Sequence, residues 1–177
     1  MTLVKRVLVV LGLSRRSRHR VLPPAVSRRL VLSEASLKGL RECLSPEIER
    51  RHEGVAYLYG QTDGSTTVVV GAIRPEARTT PWSFEVSAIS MARIVRSVNN
   101  MGLQVVGQAH SHPDSAFHSE GDEIGARIAY RGFVSLVAPD YGSRLPSLSG
   151  AAVYFFDEGQ FIELPSAALA VVPGALL

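Results

Sequence analysis

Cysteine is nearly absent from this 177-residue chain: Cys43 stands alone. One thiol can form neither an intramolecular disulfide nor a cysteine-rich zinc site, and it fits a reducing, cytoplasmic setting. Cys43 lies in a helical stretch far along the chain from the histidines, so it reads as a small buried apolar residue rather than a nucleophile. Long apolar runs are missing too. Residues 7–13, behind Lys5 and Arg6, imitate the start of a signal peptide. The run is cut short by arginines and lacks a small-x-small cleavage site. It is also far below the roughly 20 residues that span a bilayer. An edge strand over residues 5–12 is the better reading, and no membrane attachment is expected. There are no internal repeats and no aromatic residues among the N-terminal arginines, so base stacking of the kind single-strand binders use is not indicated.

What remains is the composition of one globular enzyme-sized domain, with 46% hydrophobic and 20% charged residues. A chain of this length buries about two-thirds of its unfolded surface. The net charge of +3 hides an asymmetry: residues 1–51 carry 12 Lys/Arg against 4 Asp/Glu, and the remainder carries 7 against 12. Arg15, Arg16, Arg18, Arg20, Arg28 and Arg29 supply most of the basic excess. Such a run can face nucleic acid, acidic lipid or an acidic protein, but a solvated arm is the plainer reading, and nucleic acid is not the expected partner. The organisation read from these shifts is a basic strand or arm at 1–29, a main domain at 30–164 and an apolar, unpatterned tail at 165–177.

Hydrophobic periodicity places the elements. Arg28–Leu32 is a short strand, and Ser33 caps a helix with Ala35, Leu37, Leu40 and Leu44 inward. Ser45-Pro46 looks like a fresh cap opening a short helix to Arg51. A strand over 53–60 turns at Gln61-Thr-Asp-Gly64 into a β-branched partner at 66–73. Residues 74–81 read as a loop and 82–86 as a strand. Ser87 opens a helix with Ala88, Ala92, Val95 and Val98 inward, closed by Gly102. Further strands follow at 132–138 and in a hairpin of 150–156 with 161–164. The expected fold is α/β or α+β, a mixed central sheet flanked by helices.

The chemistry concentrates in residues 107–122. Leu103, Val105 and Val106 announce a strand, and along a strand residues i and i+2 share a face. His110 and His112 therefore stand side by side with Gln108, about 6–7 Å apart by strand rise, while Ala109 and Ser111 face the other way. Pro113 ends the ladder. Ser119 is a good N-cap for the next helix, and Asp122 falls in its first turn, where a carboxylate is favoured. Paired histidines on a strand are commonly ordinary packed residues. Two His with one Asp, however, would leave a zinc ion one open position for water, which is the catalytic pattern.

The spacing of His110, His112, Pro113, Ser119 and Asp122 resembles the JAMM motif of the MPN/JAB (Mov34) metalloprotease family. Glu53, just before the apolar run Gly54–Gly60, matches the family's earlier glutamate. The resemblance spans roughly residues 30–164 and implies the MPN/JAB architecture, similar to that of cytidine deaminases. It implies one zinc ion per chain on His110, His112 and Asp122, with Glu53 as general base and Ser119 as donor to the oxyanion. His118 is not a position the motif fixes. The implied reaction is hydrolysis of the amide or isopeptide bond after the C-terminal tail of a ubiquitin-like protein. The compact size looks like bacterial members that work beside activating and conjugating enzymes, or beside a sulfur-carrier protein. A non-catalytic MPN-type scaffold is the alternative from a different class.

Overall fold

The computed structural model describes residues 28–117, 128 and 130–174. Its centre is a mixed eight-stranded sheet in the order β10-β1-β3-β2-β6-β7-β8-β9, with a helix on each face and a two-stranded arm, β4-β5, to one side. The expectations at 5–12, at Ser119 and in the helix it would open lie outside the described residues.

The strand β1 (Arg29–Ser33) runs straight into α1 (Glu34–Arg50), and Ser33 serves both. Its hydroxyl accepts from Ser36 N–H while Ser36 Oγ accepts from Ser33 N–H, each at 3.0 Å, a reciprocal cap built with serine at both ends. The buried positions of α1 are Ser36, Leu37, Leu40, Leu44 and Glu47, whereas Ala35, expected inward, is exposed. Each leucine taken fully out of water contributes about 1.5–3 kcal/mol. Pro46 does not open a new helix; it sits inside α1. Proline removes the N–H that would reach the carbonyl of Glu42. Ser45 Oγ donates to that carbonyl at 2.9 Å, so the orphaned acceptor is satisfied and the helix runs on.

The hairpin of β2 (Val55–Thr62) and β3 (Thr66–Ile73) closes at Asp63-Gly64, where Asp63 Oδ1 accepts from the backbone of Ser65 and Thr66, both at 2.7 Å. Residues 74–81, read as a loop, hold β4 (Ala77–Thr80), paired antiparallel with β5 (Ser83–Val86). The strand expected at 82–86 is β5, but β4 escaped detection because its alternation separates half-exposed from exposed residues, which leaves no hydrophobic period to read.

Helix α2 (Ala88–Asn100) begins at Ser87, whose side chain accepts from Ser90 N–H. Its buried positions are Ser90, Ile94 and Val98. Val95 is half-buried against the same core, whereas Ala88 and Ala92, also expected inward, are exposed along an apolar groove with Met91 and Ile128, so the inward face is rotated from the expected one. Next come β6 (Gln104–Ser111) and its parallel neighbour β7 (Val134–Ala138), then the hairpin β8 (Ala152–Asp157) with β9 (Gln160–Glu163). The tail read as unpatterned contributes β10 (Leu169–Val172), parallel to β1, with Leu30 opposite Leu169. No helix among the described residues is long and apolar enough to cross a membrane.

Candidate functional site

The carboxyl ends of β6 and β7 and the amino end of β2 meet at one end of the sheet, and Glu53, His110 and His112 gather there. Strand β6 is not a regular alternation. Its pairing with β2 steps from Leu58–Gly107 to Tyr59–Val105, which leaves Val106 as the extra residue of a β-bulge. Val105 packs on the α2 side and Val106 on the α1 side. Beyond the bulge Ala109 lies in the α1-side core, and the pleat turns His110 to the α2 side, against Phe84. An unbulged strand would have carried His110 to the opposite face. Gly107 allows the close approach of β7, since a Cβ there would lie 2.4 Å from a methyl of Val134.

His110 is fully buried and His112 nearly so, at 6% exposure. Their ring centroids are 5.0 Å apart and tilted by 47°. Phe84 of the arm lies 5.5 Å from the His110 ring, and Phe117 meets the His112 ring edge-on at 4.9 Å. The backbone of His112 is fixed on both sides: its N–H donates to Ala138 O (2.9 Å) and its carbonyl accepts from Tyr141 N–H (2.8 Å). Tyr141 reaches that position with φ 57°, a left-handed conformation uncommon outside glycine.

Glu53 stands two residues before β2. The ladder that pairs Val55 with His110 continues through Ser111 N–H to Gly54 O (3.0 Å), which brings Glu53 into register opposite His112. Alternation puts Glu53 on the face of Val55 and His110. Glu53 is buried, at 8% exposure, and its N–H donates to Thr80 O of the arm at 2.9 Å. Next to it, His52 Nδ1 is 3.2 Å from Thr79 Oγ1. Gly54 separates the glutamate from α1: a Cβ there would meet Leu44 and the Glu47 side chain at 3.0 Å.

The described part of the site therefore holds two imidazoles on one face and a carboxylate across the ladder. Ser119, Asp122 and His118 lie outside the described residues, and among the described residues no three His, Cys, Asp or Glu side chains group around a metal-sized space. The donor chemistry fits zinc: neutral imidazole nitrogens are preferred zinc ligands, and burial beside Phe84 and Phe117 shapes a dry surrounding. Cys43 belongs elsewhere. It is half-buried against the core on the α1 side, where burial, then Glu42, pushes its thiol pKa up, the opposite of an activated nucleophile. Sequence reasoning missed β4, whose Thr80 carbonyl reaches the site, and the pairing that makes an arm of β4 and β5, and it missed what Ser111 does with its hydroxyl.

Comparison with known proteins bears on the family and the fold. The family model described as prokaryotic homologs of the JAB domain matches residues 45–144. A probable metalloprotease, y4jG of Sinorhizobium fredii (strain NBRC 101917 / NGR234), is 29% identical over 126 residues, covering 68% of this chain and 78% of that protein. The solution structure of protein DSY2949 from Desulfitobacterium hafniense shares the fold with a TM-score of 0.58 at 17% identity, over 84% of this chain and 94% of that one.

Proposed function

The chain belongs to the prokaryotic homologs of the JAB domain, and from that premise we propose that it is a zinc-dependent metallopeptidase cleaving after the C-terminal tail of a ubiquitin-like protein. The observation that carries the reading is the shared face of Glu53, His110 and His112, built from two strands whose register depends on a bulge. A scaffold has no chemical need for that arrangement.

In this reading His110, His112 and Asp122 hold one zinc ion. When bound, the ion supplies Lewis acidity that brings a water's pKa to about 7. Glu53 accepts the proton released as the scissile carbonyl is attacked and delivers it to the leaving amine. Its place opposite His112, outside the ligand set, keeps its carboxylate available for both transfers. The Ser119 hydroxyl donates to the oxyanion, a contact whose removal typically costs 10²–10³ in rate. The arm β4-β5 borders the site through Thr80 and Phe84, and its turn exposes Trp82 at 63%. An extended tail can lie along such an edge strand, with main-chain pairing for affinity and side-chain pockets for selectivity. Activating and conjugating enzymes, or a sulfur-carrier pathway, would supply the substrate.

The test is a fusion of the cognate ubiquitin-like protein to a reporter, incubated with the wild type and with Glu53→Gln. Cleavage at the tail by the wild type alone supports the reading. Efficient hydrolysis of unrelated peptides with no cleavage of any such fusion would refute it and leave a general metallopeptidase.

A further inference from the structure

Ser111 sits between the two histidines yet faces away from them, in a fully buried position. In a regular antiparallel ladder Gly54 and Ser111 would exchange two main-chain bonds. Only half of that exchange is made by the main chain. Ser111 N–H donates to Gly54 O at 3.0 Å, but Gly54 N–H donates to Ser111 Oγ at 2.9 Å. The side chain has taken the place of its own carbonyl. One residue on, both backbone groups of His112 face the β7 side, as alternation in an inner strand requires, and bond to Ala138 and Tyr141. The hydroxyl thus completes, at the last rung beside β2, an exchange that the main chain leaves half made.

We infer that Ser111 is a positioning residue for catalysis: its hydroxyl fixes Gly54, and through it Glu53, against the end of the histidine strand. The inference rests on the proposed reading of Glu53 as the base. Removing the hydroxyl strands a buried Gly54 N–H, which gives the strand end a reason to move away from β6. The metal-facing side of β6 is untouched, since Ser111 projects to the α1 side. There Gly142, with φ 82°, presents no side chain to Ser111: even a Cβ built on it would lie 3.7 Å from Ser111 Cβ, an ordinary contact distance.

The experiment compares the wild type with Ser111→Ala and Ser111→Thr. It measures Gly54 amide exchange by NMR in the metal-free protein, zinc content of the loaded protein, and kcat and KM on the ubiquitin-like fusion. Ser111→Ala should speed Gly54 exchange roughly tenfold or more. It should also lower kcat about 10–100-fold, the scale of a displaced catalytic group, while KM and zinc content stay near wild type. Ser111→Thr should restore both exchange and kcat. If Ser111→Ala does not fold, Ser111→Thr against Ser111→Val decides, because the two differ only in the hydroxyl. Wild-type-like exchange and kcat in the variant lacking the hydroxyl, or failure of Thr to rescue, overturns the inference. A Gly54 amide that exchanges freely in the wild type overturns it as well. If no fusion is cleaved by the wild type, the reading of the substrate fails, and Gly54 exchange still decides whether the clasp exists.

Discussion

The two faces of the sheet are built from different materials. Under α1 the core is almost wholly aliphatic, with Leu30, Leu32, Leu37, Leu40, Leu44, Leu58 and Leu136 beside one aromatic, Phe155. Under α2 it is rich in rings, with Tyr57, Phe133, Tyr154 and Phe161 in the cluster and Phe84 against it. The histidines stand on this second face. Aliphatic packing carries no polar obligations and lets a 17-residue helix seat on three leucines. Flat rings beside imidazoles orient them, exclude water and leave space at the strand ends. Stability is concentrated on one face and candidate chemistry on the other, which makes the division testable.

The largest effect should come from the ring-rich face. His110→Ala, His112→Ala and Asp122→Ala should each abolish zinc binding and with it all turnover, as read by metal analysis of the purified protein. Stoichiometric zinc in either histidine variant would remove that face from the chemistry. Glu53→Gln should keep zinc and fold but lose roughly 10²–10⁴ in kcat. Near-normal activity in that variant would mean that another residue is the base.

The opposite face should respond in stability instead. Leu40, with no exposed surface, is the probe: Leu40→Ala should lower unfolding free energy by about 2–5 kcal/mol, measured by denaturant titration. Zinc content and kcat per folded molecule should not change. A comparable loss of kcat would show that the two faces are coupled through the sheet.

The smallest effect belongs to the β2-β3 turn. Hydrogen bonds from Thr66 N–H first, then from Ser65, hold the Asp63 carboxyl at about 2, below its ordinary 3.8. A carboxylate with its folded pKa depressed contributes stability that is fully present above the unfolded value and disappears as pH falls through the folded one. The wild type should therefore show an extra loss of stability between about pH 4 and 2 that Asp63→Asn lacks. Because Asp63 is exposed, the difference should be slight, visible as a small convergence of the two urea midpoints as pH falls. Parallel midpoints throughout that range would dismiss the turn bonds as a source of stability.

Much of this architecture was legible in local patterns. Ser33 and Ser87 announced their helices because an N-cap satisfies N–H groups only three residues away. The β2-β3 and β8-β9 hairpins were visible because their turns are short and rich in Asp and Gly. The helix faces were less secure: Ala35, Ala88 and Ala92 are exposed where they were expected inward, since alanine fits either side of a helix. Pro46 misled because the serine that compensates it looks the same as a serine that caps.

By itself the sequence determined that His110, His112 and Glu53 are the residues to watch, through a strand period of two and a spacing that resembles a known motif. Tertiary structure alone decided which side of the sheet they occupy. That outcome depends on the bulge at Val106, which exists only as a mismatch in count between β6 and β2. It also decided that the apolar tail becomes β10, because a parallel partner at β1, more than a hundred residues earlier, leaves no turn signal to read. The docking of the β4-β5 hairpin on Glu53 and His110 belongs to the same class. Each is a pairing between distant segments, and its free energy resides in the pair and in neither segment alone.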